Sequence, residues 1–335
     1  MKSAFIQLPK MSLKIIKAGL LDTVQDHGRY GHQHQGINPG GAMDRFAASL
    51  ANALLGKELH SAVIEMHFPA AKIQFENPCI ICITGANFSP TINNKPVPLH
   101  QPILVSKDAV LQFTAYKNGA RTYLSLLNEM HLLPWLNSFS TNLKAGAGGF
   151  EGRRLLKEDK LHYSDIHLQT AMESILPLPW SYHDDEQNDS IIKFIPGNEW
   201  NWLTEKSQIN FLNNAFVISS SSDRMGYRLQ GAALESSRQE QLISSAVSFG
   251  TIQLLPNGQL IVLMADHQTT GGYPRIAHVI TTHLQKLAQL NAGEKMNFVM
   301  TSVEDAQQKL VAQQQYLMQL QKTCNLKMQN WLYAH

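Results

Sequence analysis

The chain has 335 residues, 44% apolar and 16% charged, with 28 basic and 26 acidic side chains and a net charge of +2. That length predicts about two domains. The absence of a basic block excludes a nucleic-acid surface built on charge. No apolar run approaches the roughly 18 residues of a membrane span. Three cysteines and the lack of an apolar leader in Met1–Lys10 predict a cytoplasmic protein, with Met11 as an alternative start.

In chain order, a first strand is predicted at Lys14–Lys17. It leads to the polar stretch Thr23-Val-Gln-Asp-His-Gly-Arg-Tyr-Gly31. There Gln25, Asp26 and Arg29 lie within five residues. They can present a carboxylate and a guanidinium to a small polar substrate, or Asp26 and Arg29 can form an ion pair that fixes the turn. The residues alone leave both open. His32 and His34 have no acidic or cysteine partner at metal-ligand spacing, so no metal site is predicted.

Gly36-Ile-Asn-Pro-Gly-Gly-Ala-Met-Asp44 follows. Gly40 and Gly41 before a helix can cradle an anion or let backbones pack closely. The helix predicted over Met43–Leu55 carries an apolar face and stops at Gly56.

Strands are predicted at Lys72–Phe75, Ile80–Ile83, Ile103–Val105, Val110–Phe113 and Arg121–Leu127, with Asn93-Asn94 at a hairpin tip. Cys79 and Cys82 form a C-x-x-C on a buried strand. Residues three apart on a strand face opposite sides, so these are core cysteines rather than a metal or redox pair. Gly-rich Lys144–Gly152 lacks the Lys-Ser/Thr of a phosphate-binding loop.

In the second half, Ser219–Leu229 packs Asp223, Arg224 and Arg228 into six positions, either as a site or as a solvated, locally ion-paired loop. Thr251–Leu255 and Leu260–Met264 form a hairpin around Asn257-Gly258. After the apolar run Leu260–Ala265 comes Asp266-His-Gln-Thr-Thr-Gly-Gly-Tyr-Pro-Arg275, with an amphipathic helix predicted from Pro274 to Leu290. Gln268, Thr269, Thr270, Gly271 and Gly272 would then precede a helix N-terminus, where unpaired N–H groups and the helix dipole favour anions. A last helix is predicted from Ser302, with Thr301 and Glu304 as its capping box. Many strands and few helices predict a mainly β protein with two β-barrel-like domains, residues 12–156 and 192–322, joined by a linker over 157–191.

Seven of these segments occur together in order: Thr23-Val-Gln-Asp-x-Gly-Arg-x-Gly31, Gly40-Gly-Ala-Met-Asp44, Ala51-Asn-x-Leu-Leu-Gly56, Ser222-Asp-Arg-Met-Gly-Tyr-Arg-Leu-x-Gly231, Gly250-x-Ile-Gln253, Leu255-Pro-Asn-Gly-Gln259 and Asp266-x-Gln-Thr-Thr-Gly-Gly-Tyr-Pro274. Over about Lys14 to Gln307 the chain resembles the C-subunit family of bacterial 5-oxoprolinase. That family is also described as allophanate hydrolase subunit 2, biotin-dependent carboxyltransferase-like or KipA.

The resemblance implies a cyclophilin-like β-barrel architecture and two partners, a KipI-like B subunit, and a lactam-utilisation A subunit. With them it implies opening of 5-oxoproline to L-glutamate using ATP, with its Mg, at the level of the complex. The isolated chain is expected to be inactive. Alternatives within the family are a carboxyltransferase on urea- or allophanate-like amides, which uses biotin, and a non-enzymatic regulator that binds a KipI-like protein.

The expected roles are Arg29 and Arg228 on anionic groups and Asp26, Asp223 and Asp266 orienting substrate or arginines. Gln25, Gly40, Gly41, Gln268, Thr269, Thr270, Gly271, Gly272 and Tyr273 would line the pocket. Three departures from the family pattern stand out. Asn128-Glu129 replaces Gly-Gly, Phe139 replaces arginine within Asn137–Thr141, and His267 stands where arginine is common.

Overall fold

A computed structural model describes residues 11–165, 175–183, 190–238, 240 and 242–334. The Met1–Lys10 segment and the acidic run in the predicted linker, residues 184–189, lie outside the described residues. The chain forms two compact units. The first takes the described residues of Met1–Asp26, Ala47–His183 and Leu317–His335, and the second those of His27–Phe46 and Asp184–Tyr316. The helices are α1 (Arg45–Leu54), α2 (Glu205–Asn213), α3 (Thr281–Ala288) and α4 (Val303–Ala334). None among the described residues is long and apolar enough to cross a membrane.

The first unit contains two six-stranded antiparallel sheets. One runs Lys160–Tyr163, Met11–Lys17, Lys72–Phe75, Val110–Phe113, Pro90–Ile92, Lys95–Pro96. The other runs Leu176–Pro177, Pro102–Val105, Cys79–Asn87, Asn118–Leu126, Val63–Met66, Thr23–Gln25. Alternate residues of these strands, among them Leu13, Ile15, Ile73, Phe75, Ile81, Ile83 and Leu124, fill one core. Asn93 and Asn94 hold the positive φ angles (50° and 64°) of the tight hairpin. Cys79 faces this core and Cys82 does not; both are free and buried. Burial pushes both thiols up, so they are inert core side chains.

The second unit is a closed seven-stranded barrel. Its strands follow the order Ile191–Pro196, Arg275–Val279, Thr251–Leu254, Leu260–Leu263, Gly226–Gln230, Phe216–Ile218, Lys295–Met300. The barrel closes by parallel pairing of Ile191–Pro196 with Lys295–Met300. Its core includes a ring cluster in which Phe211 stacks on Phe298 with centroids 4.7 Å apart. The hairpin over 251–263 turns through Gly258, at φ 77°. A bond from the Leu255 N–H to the Gln259 carbonyl (2.8 Å) closes the turn, as in a type I turn followed by a left-handed glycine.

Two local expectations are corrected. Residues 274–290 are not one helix: Arg275–Val279 is a barrel strand, and α3 begins only at Thr281. A bulge against Thr251–Leu254 turns the consecutive residues Ile276 and Ala277 into the core. Apolar positions 276, 279 and 280 therefore mimic helical spacing. At α4 the cap is Ser302, whose Oγ accepts from the Asp305 N–H (3.0 Å), while the Asp305 carboxylate takes the Thr301 hydroxyl (2.6 Å).

Candidate functional site

Within the second unit, polar residues from three distant stretches meet at the Gly40-Gly41 turn. Both glycines have positive φ, 63° and 97°, which side chains rarely adopt. A Cβ on Gly40 would lie 3.1 Å from Arg29 Nη1 and 3.6 Å from Asp266 Oδ1. One on Gly41 would strike the His27–Gly28 backbone at 2.9 Å. The turn is bare because the Arg29 guanidinium and the Asp266 carboxylate lie against Gly40 and the His27–Gly28 backbone lies against Gly41. Arg224 grips Asp266 with both arms of its fork, Nε to Oδ2 at 2.8 Å and Nη2 to Oδ1 at 3.1 Å, and also donates to the Gly41 carbonyl at 2.7 Å. Arg45 Nη2 donates to the Gly40 carbonyl at 3.2 Å, and its guanidinium lies over the Tyr30 and Phe249 rings.

Arg29, Arg45 and Arg224 therefore gather around one turn beside Asp266. Planar guanidiniums at such a turn suit a carboxylate or phosphoryl group. His267, next in sequence, is buried and donates from Nδ1 to the Gln268 carbonyl at 2.5 Å. Burial first, and then the Arg45 charge, hold its imidazole below the ordinary histidine range.

The structure thus joins Arg29, Gly40, Gly41 and Asp266, but not Asp223 or Arg228. Asp223 is exposed and Oδ1 accepts from the N–H groups of Met225 (2.8 Å) and Gly226 (3.2 Å), as a turn residue does. Arg228 is exposed on the outer barrel wall. The arginine that reaches the carboxylate is Arg224, which lies in the expected segment but carried no expected role. A signal was available: Tyr227 and Leu229 point into the core, so Arg228 between them must point out.

The stretch Gln268–Arg275 does not cap a helix, which removes the helix-dipole argument for anion binding there. Instead Thr270-Gly271 pairs with Ser245-Ala246 as a short ribbon. Gln268 and Thr270 are exposed, and the carbonyl of buried Thr269 accepts from the Val247 N–H (3.1 Å). Gly272 and Tyr273 line a cavity of about 850 Å³ with Leu242, Leu254 and Pro274. Arg275 forms a bidentate pair with Glu199, at 3.0 and 2.8 Å. Burial pushes the Glu199 carboxyl up, but the Arg275 hydrogen bonds and charge outweigh it and hold it below the usual range.

In the first unit, Asp26 is a clamp. Oδ1 accepts from Ser138 Oγ (2.7 Å) and Ser140 Oγ (2.5 Å), and Oδ2 from the Phe139 N–H (2.6 Å). Three charge-assisted bonds fix the loop carrying Phe139, whose ring packs against that unit's core. Gln25 is buried and donates to Thr23 Oγ1 at 2.9 Å. Among the described residues no cluster of histidine, cysteine or carboxylate side chains could hold a metal ion.

Residues 35–300 match the family described as carboxyltransferase domain, subdomain A and B. The chain is 36% identical to the 5-oxoprolinase C subunit of Haemophilus influenzae over 305 residues, covering 91% of this chain and 96% of that protein. It is 36% identical to the 5-oxoprolinase C subunit of Escherichia coli over 310 residues, covering 92% and 97%. Among solved structures, the K. lactis urea amidolyase shares the fold with a TM-score of 0.84 at 24% identity, over 93% of this chain and 20% of that one. With its motifs in order along the chain and residues 35–300 matched, this protein belongs to the carboxyltransferase domain, subdomain A and B, family.

Proposed function

We propose that this chain is the C subunit of a multi-subunit 5-oxoprolinase. In this reading it acts with a KipI-like B subunit, and with a lactam-utilisation A subunit, to open 5-oxoproline to L-glutamate. The observation that carries it is 36% identity to two 5-oxoprolinase C subunits along nearly the whole of both chains. A lactam is a poor electrophile, and ATP with its Mg, used by the complex, supplies the activation of the amide oxygen. The groups here that suit such a substrate are Arg29, Arg45 and Arg224. They would hold the carboxylate or a phosphoryl oxygen, with Asp266 orienting Arg224 and the Gly40-Gly41 turn allowing close approach.

The test is reconstitution with the two partner subunits, with glutamate assayed from 5-oxoproline plus ATP. The complex should be active and the chain alone inert. Activity of the chain alone would refute the division of labour, and an inactive complete complex would refute the substrate. The family's description and the urea amidolyase fold support a second reading, carboxyl transfer to a urea-like amide. That reading needs a biotin carrier and predicts biotin-dependent consumption of bicarbonate by the assembled protein.

A further inference from the structure

We infer that the Gln253 carboxamide recognises the amide group of the substrate, beneath the ribbon formed by Ser245-Ala246 and Thr270-Gly271; this deepens the reading proposed above. Gln253 sits on the barrel strand Thr251–Leu254. Its neighbours Ile252 and Leu254 point into the barrel core, so Gln253 projects from the outer wall. There it is fully buried, yet neither Nε2 nor Oε1 has a hydrogen-bond partner. Buried amides in native structures are almost always bonded, and an orphaned pair calls for a ligand or water to complete it.

Three further observations favour a ligand. The ribbon touches the amide through a glycine: a Cβ on Gly271 would fall 2.6 Å from Gln253 Nε2. The ribbon is slight, two residue pairs, Ser245 with Gly271 and Ala246 with Thr270. The 850 Å³ cavity is lined by the residues next in sequence, Leu254 after Gln253 and Gly272 after Gly271. The cavity lining thus begins one residue beyond Gln253 and one residue beyond the glycine that covers its amide.

The chemistry is specific. A lactam has its N–H and C=O on one edge, because ring closure holds the amide cis. A primary carboxamide offers C=O and N–H in the complementary order, so the two form a paired set of hydrogen bonds. Beside it, Arg275, in register with Gln253, is held by Glu199 and donates to Ser245 Oγ at 2.8 Å. The charged neighbour is thereby paired off, and the amide is left as the neutral reader.

The test uses the reconstituted complex with Gln253→Met, which keeps the side chain's length and removes both polar ends. For 5-oxoproline, kcat/KM should fall on the order of 100-fold. Inhibition by the corresponding γ-lactone, which has no N–H, should change by less than about tenfold. Gly271→Ala, which presses on Nε2, should lower kcat/KM in the same direction. A folded, assembled Gln253→Met complex with unchanged kcat/KM overturns the inference.

If the wild-type complex does not convert 5-oxoproline, the proposed substrate falls and Gln253 is tested separately. The Tm of wild-type and Gln253→Met chains is then measured with 2-pyrrolidinone and with urea. A rise confined to wild type upholds the amide-reading role, and equal rises or none overturn it.

Discussion

Asp266→Asn is the sharpest perturbation of the Gly40-Gly41 cluster. It removes a charge and leaves the shape. In the native protein Arg224 is 6% exposed and spends its fork on Asp266, at 2.8 and 3.1 Å, with the Gly41 carbonyl as a further acceptor. A charge pair separated by about 4 Å in an effective dielectric near 20 is worth ~4 kcal/mol. The Asp266 side chain is 18% exposed, and asparagine still accepts one bond, so the expected loss is about 2–3 kcal/mol. For a unit of this size that is a drop in Tm of about 4–12 °C.

Calorimetry of the purified chain measures the drop, and hydrogen exchange along Leu260–Leu263 assigns it to the barrel. Arg224→Met alone should cost a similar amount by stranding the carboxylate. The double variant Asp266→Asn/Arg224→Met should cost clearly less than the sum. An unchanged transition in Asp266→Asn, or additive losses in the double variant, would show that the pair does not hold the turn.

Arg228→Ala should change stability by no more than about 0.5 kcal/mol, because Arg228 is exposed on the outer wall; a loss as large as that of Asp266→Asn would reverse the assignment of the two arginines. The barrel should weaken on acidification. Burial, with the Arg45 charge at His267 and the Arg275 charge at His278, lowers both imidazoles. Their contribution is present above the unfolded value near pH 6.5 and is lost as pH falls below it. Melting at pH 7.5 and 5.5 tests this, and His278→Gln should show a smaller loss than wild type. Asp22 in the first unit runs the other way. Burial pushes its carboxyl up to about 7, so its contribution is lost as pH rises through that value. Asp22→Asn should stabilise the first unit by about 1–3 kcal/mol more at pH 8 than at pH 3.5, below the unfolded value; an equal effect at both would refute the assignment.

Local chemistry made much of this legible in the sequence. The strand Lys72–Phe75, the Asn93-Asn94 turn and the opposed Cys79 and Cys82 follow from period-two alternation and turn sterics. The strand Arg275–Val279 did not, because its bulge counterfeits a helix. The candidate site was half legible for a related reason. Gly40, Gly41 and Asp266 announce themselves as glycines at a turn and an acid ending an apolar run. Choosing Arg224 over Arg228 needs the inward set of a strand only five residues long. Gln253 was visible only as a motif letter, since an amide orphaned by burial has no signature until its neighbours are in place.

Phe139 and His267 stand where the family resemblance led us to expect arginines, and the structure gives both inward-facing surroundings. The Phe139 ring packs on apolar core below the loop that Asp26 clamps, and His267 is buried with its Nδ1 committed to a carbonyl. A guanidinium at 139 would replace a ring that packs on apolar core, and one at 267 would be buried beside Asp266, which Arg224 already engages; an unpaired guanidinium is costly when buried. The guanidiniums gathered at the Gly40-Gly41 turn are those of Arg29, Arg45 and Arg224. On the function proposed above, recognition then splits between two sets of residues. Preference for 5-oxoproline over neutral 2-pyrrolidinone should follow the arginines, because it turns on the carboxylate. Preference for a lactam over its lactone should follow Gln253, because it turns on one N–H. Variants of the two sets should therefore move two different selectivity ratios, and a variant of either set that moved both equally would mean the two clusters do not act as separate readers.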